Sequence, residues 1–290
     1  MVAPSLLDLL LLILLGLGAG WLGATVGIGG GVVIVPALVI VFGIDIKVAV
    51  AASLVAVIAT STTAGSVYLG RGITNMRLGM TLEIATTVGG MTGGLVAAFV
   101  PSNVIAALFA TVVAISAGVL LWHAANPPVR TVQAPTNGTV GWEDPGALSG
   151  AYFDHARGGM VHYRARRLGL GSAVSLLAGS VSGMLGVGGG FLKVPAMNVL
   201  MDVPVRVAAA TSNFMIGVTA AASVFIYFER GFVEPLVAVP VALGVVGGSL
   251  IATMMAGTTS APKVKRILAL VLAAVAIEMA LRAFGVGVGV

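Results

Sequence analysis

The segment Gly27-Ile28-Gly29-Gly30-Gly31-Val32-Val33-Ile34-Val35-Pro36 returns as Gly186-Val187-Gly188-Gly189-Gly190-Phe191-Leu192-Lys193-Val194-Pro195, offset by 159 residues. The same offset, carried downstream without a gap, pairs Ala37 with Ala196, Lys47 with Arg206, Val48-Ala49 with Val207-Ala208, Ser53 with Ser212, Thr60 with Thr219, Tyr68 with Tyr227 and Arg71-Gly72 with Arg230-Gly231. From Gly27 to Gly72, 15 of 46 positions are identical between the copies, more than an apolar, glycine-rich composition produces by itself. The chain reads as a duplicated unit, and each copy has to accommodate three consecutive glycines with a proline five residues on.

The medium follows from how little of the chain is polar. With 58% hydrophobic and 9% charged residues and a mean hydropathy of +1.10, the sequence lacks the surface that a water-soluble globule of this size requires. Forty-one glycines fit a bilayer protein, because small residues let membrane helices approach closely. The formal charge of +5 does not point to nucleic acid: the arginines and lysines sit between long apolar runs and form no stripe interleaved with aromatic residues. They suit membrane topology instead. The lack of cysteine removes disulfides, thiolate catalysis and thiolate metal sites. The start of the chain, 1–24, has no basic leader and no clear cleavage site, so it reads as a retained membrane helix.

A bilayer core takes roughly 20 apolar helical residues. Eight stretches come near that length: 6–24, 48–69, 78–100 and 103–123 in the first half, and 168–185, 207–228, 235–255 and 267–284 in the second. The expected fold class is therefore an all-α integral membrane protein of about eight transmembrane helices in two homologous four-helix repeats. Between the first and second helix of each repeat lies an apolar piece of half that length, 32–42 and 191–201, read as a half-spanning or re-entrant helix after the glycine break. The connections Val100-Pro101-Ser102-Asn103 and Thr258-Thr259-Ser260-Ala261-Pro262 are tight, which predicts antiparallel neighbours on either side of each. The expected divisions are a first membrane repeat over 1–123, a polar linker over 124–167 and a second repeat over 168–290. The linker holds Pro127-Pro128, Asn137-Gly138 and Asp144-Pro145-Gly146 and reads as loop throughout. Counting Lys and Arg near the helix ends favours a cytoplasmic linker with both termini inside, although the cluster Lys263, Lys265 and Arg266 opposes it. Four crossings per repeat would make the repeats parallel, and an odd number would invert them.

Three glycines in a row break a helix, since each disfavours a helix interior by about 1 kcal/mol relative to alanine. At bilayer depth the exposed backbone is tolerated only where protein buries it or water reaches it, so the two breaks should meet or line a cavity. Each precedes a short helix whose amino end offers free N–H groups, and bare backbone lets an oxyanion approach closely. The substrate-binding candidates are accordingly Gly29, Gly30, Gly31, Gly188, Gly189 and Gly190. Lys193 joins them as the one lysine placed at membrane depth, where a cation is functional by default. The plainer use of the same glycines is close helix packing, and a plainer Lys193 snorkels to an interface.

Ser53 and the run Thr211-Ser212-Asn213 are further candidates, ahead of Thr60, Thr63 and Thr219, which more commonly tie helices together. Lys47 and Arg206, at the same repeat position, read as headgroup anchors or as cations steering an anion. Glu83, close to its helix start, reads as an interfacial carboxylate rather than a proton relay, and Glu278 with Arg282 as an i,i+4 pair. His123, His155 and His162 show no metal-ligand spacing, and no catalytic motif is present, so no metal, cofactor or enzymatic activity is expected.

The duplicated Gly-x-Gly-Gly-Gly-x4-Pro, with an Ala-x3-Ser-like helix after it, resembles the sulfite exporter TauE/SafE family of membrane transporters over nearly the whole chain apart from the linker. The resemblance implies about eight membrane helices in two related halves. It also implies a secondary transporter, an exporter, of sulfite, a sulfonate or a related organic anion across the cytoplasmic (bacterial inner) membrane, and it carries Gly29, Gly30, Gly31, Pro36, Gly188, Gly189, Gly190 and Pro195 into the site. The expected partners are the lipid bilayer, a small anion and a coupling proton or ion, with no nucleic acid. The linker segment Trp142-Glu143-Asp144 departs from the family pattern. An anion channel and a non-transporting membrane assembly protein are the alternatives.

Overall fold

The computed structural model describes residues 5–26, 29–125, 148–154, 159–255 and 261–283. They form ten α-helices: α1 (Leu6–Val26), α2 (Gly31–Val41), α3 (Ile46–Gly70), α4 (Met76–Phe99), α5 (Ser102–Ala125), α6 (Leu168–Leu185), α7 (Gly190–Pro195, running on as a π-helix over Ala196–Leu200), α8 (Val205–Glu229), α9 (Pro235–Met254) and α10 (Ala261–Ala283). Six of them, α1, α3, α4, α6, α8 and α9, are long and apolar enough to cross a membrane, and α5 adds a shorter apolar stretch over Ser102–Gly118. Their outward faces carry large apolar side chains such as Leu6, Ile84, Phe99, Leu177, Leu243 and Met254, all strongly exposed. Surfaces of that kind belong against lipid tails. The protein is a multi-pass, helical membrane protein.

The long helices start and stop within about two residues of the expected limits, except that α10 begins at Ala261 rather than at 267. Local chemistry sets several of these ends. Asp45 caps α3 through the Lys47 amide (2.8 Å), and Asn75 caps α4 through the Leu78 amide (3.0 Å). The short apolar pieces are helices as expected. At 1.5 Å per residue, the 11 residues of α2 reach about half way through a bilayer core.

Two expectations are corrected. The linker is not loop throughout: α5 runs to Ala125, and β1 (Ser149–Asp154) pairs antiparallel with β2 (Gly159–Arg164), with Tyr152 opposite Val161. Tyr152, Phe153, Val161 and Tyr163 are strong strand formers, and the hairpin clusters Tyr152 and Val161 with Leu78 and Val207 at the starts of α4 and α8 and with Met201 after the π-helix. The turn-forming dipeptides, Trp142-Glu143-Asp144 and His155 lie outside the described residues. Asn75 donates to the Tyr163 hydroxyl (3.0 Å), tying the hairpin to the α4 cap, and burial pushes the Tyr163 phenol pKa above its usual value. Tyr163→Phe is expected to cost about 1 kcal/mol in an unfolding titration.

The second correction concerns neighbours. Helices joined by the tight connections do not pack on each other: α4 lies against α6 and α8, α9 against α1 and α3, and α5 against α10, while α3 lies against α8. Small residues decide this. A Cβ on Gly89 would overlap the carbonyl of Leu176 in α6, and one on Gly248 would overlap that of Leu17 in α1. Gly89 and Gly248 are 159 residues apart, as are Leu17 and Leu176. So the first long helix of each half packs against the third long helix of the other, backbone to backbone, and the halves interlock.

Candidate functional site

The glycine breaks sit where the halves meet. Gly30 caps α2 with φ 77° and Gly189 caps α7 with φ 66°; Gly29 and Gly188 precede them at φ 88° and 81°. Two successive left-handed residues turn the chain sharply out of the preceding helix, a path that residues with a Cβ rarely take. Gly27 and Ile28 lie outside the described residues. A Cβ on Gly31 would overlap the carbonyl of Gly186 in the other break and come within 2.7 Å of the Ser53 hydroxyl. Ser53 itself donates to that Gly186 carbonyl (2.8 Å). The expectation that the two breaks lie against each other therefore holds at Gly31 and Gly186, with Ser53 as the clasp.

All eleven candidates are buried: Gly29, Gly30, Gly31, Gly188, Gly189, Gly190, Lys193, Ser53, Thr211, Ser212 and Asn213. They do different things. Thr211 accepts the Asn75 amide (3.0 Å) and belongs to the cap of α4. The Asn213 carbonyl takes the Ser61 hydroxyl, joining α3 to α8. Ser212 Oγ, Asn213 Oδ1 and Ser182 Oγ are buried without a hydrogen-bond partner; Ser182 lies beside Gly189, its Cβ 3.2 Å from where a Cβ on that glycine would stand. Unpartnered polar atoms in a dry interior are costly. Of these, Ser182 stands at the second break, and Thr74 Oγ1, just before α4, is a fourth such atom.

Lys193 is 1% exposed on the first turn of α7, where its amide donates to Gly189 O (3.1 Å). Its ammonium donates to Thr219 Oγ1 (3.2 Å), and Thr219 donates in turn to Glu83 Oε1 (2.7 Å). Glu83 also accepts the hydroxyls of Thr86 (2.8 Å) and Thr87 (3.1 Å) from its own helix. Glu83 is thus corrected from an interfacial carboxylate to a buried one, 7% exposed and joined to Lys193 through one hydroxyl. Counting residues from the helix start misjudged it, because the hairpin and the π-helical segment cover that end of α4. One sequence signal was available: the 159-residue offset puts Ala242 opposite Glu83 and Ile34 opposite Lys193, so the two charges break the repeat together.

The secondary candidates are structural. Thr60 bonds Ala56 O (3.0 Å) and the Gly29 carbonyl (3.4 Å), and Thr63 bonds Ala59 O (2.8 Å). Lys47 donates to Ala98 O (3.2 Å) at the end of α4. Arg282 pairs with Glu278 (3.4 Å) and also caps α2 at Val39 O (3.1 Å). A cavity of about 720 Å³ lies between α5 and α10, but residues such as Ala110, Ala114, Ala276 and Ile277 line it and none is charged, which does not suit an anion. Among the described residues no cluster of His, Cys, Asp or Glu could hold a metal ion.

The sequence model of the family described as "Sulfite exporter TauE/SafE" matches residues 12–279. A "Probable membrane transporter protein YunE" from Bacillus subtilis (strain 168) is 27% identical over 252 residues, covering 84% of this chain and 87% of the relative. A "Probable membrane transporter protein" from Xylella fastidiosa (strain 9a5c) is 32% identical over 115 residues, 39% of this chain and 44% of the relative. No solved structure matches.

Proposed function

Because the chain belongs to the sulfite exporter TauE/SafE family, we propose that it is a secondary transporter exporting a small sulfur-containing or organic anion, such as sulfite or a sulfonate, across the cytoplasmic membrane. In this reading α1, α3, α4, α5, α6, α8, α9 and α10 are eight crossings in two repeats, 1–123 and 168–290, with α2 and α7 as half-spanning pieces. The linker 124–167 and both termini face the cytoplasm of a bacterial inner membrane.

The observation that carries the proposal is Lys193: a buried cation one turn beyond a left-handed glycine break, with the unpartnered Ser182 hydroxyl beside the same break. Fixed N–H groups, hydroxyls and one ammonium can replace the water shell of an oxyanion without reorganising. Burial of every candidate residue favours a carrier caught closed on both sides over an open channel. Access would then come from movement of the interlocked halves about the Gly31–Gly186 contact.

Purified protein should be warmed with sulfite, methanesulfonate, acetate or chloride. At least one of the first three is expected to raise the melting temperature in proportion to the logarithm of its concentration, since a ligand at a hundred times its Kd adds about 2.7 kcal/mol. No shift with any of them would remove the anion reading and favour an assembly role.

A further inference from the structure

The chain Lys193 Nζ, Thr219 Oγ1, Glu83 Oε1 does something that an anion site alone does not need. We propose that Glu83 is the binding site of a coupling proton, and that its protonation hands Lys193 over to the transported anion. The inference rests on the anion reading above and deepens it.

Charge balance inside the membrane carries the argument. With Glu83 ionised, Lys193 and Glu83 form a neutral unit bridged by Thr219. An anion arriving at Lys193 would add a negative charge in a place where water is excluded and uncompensated charge is strongly disfavoured. A proton on Glu83 removes the excess: the carboxylate becomes neutral, the anion takes its role as counter-ion to Lys193, and the net charge of the site does not change. The proton comes from the solution on whichever side the site opens to.

Thr219 is built for both states. Its hydroxyl now donates to Glu83, but its own helix carbonyl, Met215 O, lies 3.2 Å away as an alternative acceptor. When Glu83 is protonated, the acid donates to Thr219 Oγ1 and Thr219 turns its proton to Met215 O. Thr86 likewise has the Glu83 main-chain carbonyl at 3.0 Å. No group is orphaned by the switch. The charged and titratable surroundings are sparse. Lys193 is the charged neighbour from α7; α6 carries no titratable side chain; those of α8 are Arg206, Tyr227 and Glu229, near its two ends; the hairpin over the start of α4 carries Tyr152, Asp154, His162, Tyr163 and Arg164; and α4 itself adds Arg77 in its first turn. Among the described residues, the hydrogen bonds of Glu83 join it to one charged group, Lys193, through Thr219.

Linkage fixes the sign. If the anion binds with Glu83 protonated, the bound state holds one more proton than the free state, so affinity falls as pH rises, by up to tenfold per pH unit where Glu83 titrates. The test measures binding of sulfate and methanesulfonate, which remain ionised across the range, to the full-length protein between pH 5 and 9, about the span in which proteins are handled without acid or base denaturation. The wild type should lose affinity as pH rises, and anion addition should produce a protonated-carboxyl infrared band that Glu83→Gln lacks. Glu83→Gln, neutral at every pH, should lose the part of the slope that Glu83 contributes and keep only the loss of affinity that deprotonation of Lys193 causes at the alkaline end. Glu83→Asp should restore the slope. A Glu83→Gln protein that keeps the wild-type pH dependence, or an anion-induced carboxyl band that survives the substitution, overturns the proton site while leaving the anion reading intact. Wild-type protein that binds neither probe nor sulfite at any pH overturns both.

Discussion

Gly248→Ala is expected to destabilise the detergent-solubilised protein by about 2 to 3 kcal/mol, whereas Gly247→Ala, one residue earlier, should be neutral or slightly stabilising. Both changes add one methyl group to α9, and both gain the same helix propensity. They differ in what the methyl meets: at Gly248 the main chain of α1 at Leu17 and Trp21, at Gly247 nothing within 4 Å. A backbone carbonyl cannot swing aside as a side chain can, so α1 and α9 must separate along their length and give up packing on both sides of the contact. Gly89→Ala should behave like Gly248→Ala, since Leu176 and Ser180 of α6 stand where Leu17 and Trp21 stand in α1. Unfolding followed by tryptophan fluorescence would compare the variants. Equal losses at Gly247 and Gly248 would contradict the interlocked packing.

The second large effect concerns the buried charges. Lys193→Ile leaves Glu83 at membrane depth without its cation, and removal of one partner from a buried pair costs about 3 to 5 kcal/mol. Glu83→Ala strands Lys193 in the same way. The double variant Lys193→Ile/Glu83→Ala installs the residues that the other repeat carries at these places, Ile34 and Ala242, and should recover more than half of either single loss. The hydroxyls left behind have homes: Thr219 at Met215 O (3.2 Å) and Thr86 at the Glu83 main-chain carbonyl (3.0 Å). A double-mutant cycle with strictly additive losses would show that the two residues do not share a network.

The sequence made the membrane helices legible because each is an apolar run of about one bilayer thickness, and the duplicated glycines located the breaks because glycine takes φ values such as 77° and 66° without steric cost. Lys193 was legible as a lone cation among apolar residues. Glu83 was not, since its depth depends on the hairpin and the π-helical segment that cover the start of α4. Helix partners were equally hidden. The turn at Pro101 is short, which ordinarily returns a helix against its predecessor, but Gly89 and Gly93 give α4 a closer fit to α6 than to α5. Thr211 looked like a ligand because it adjoins Ser212 and Asn213, yet its hydroxyl is engaged by Asn75, a residue 136 positions away. Tertiary partners of this kind leave no mark in local pattern.

The central claim, that Lys193 beside the glycine break is where a transported anion binds, is tested most directly by downhill sulfite efflux from proteoliposomes containing the Lys193→Ile/Glu83→Ala protein at matched folded content. Alanine at position 83 is neutral, as the protonated acid is, so loss of Glu83 does not by itself keep the anion from Lys193. The account predicts saturable efflux for the wild type and efflux no faster than empty liposomes for the double variant; a double variant that moves sulfite at the wild-type rate would contradict it.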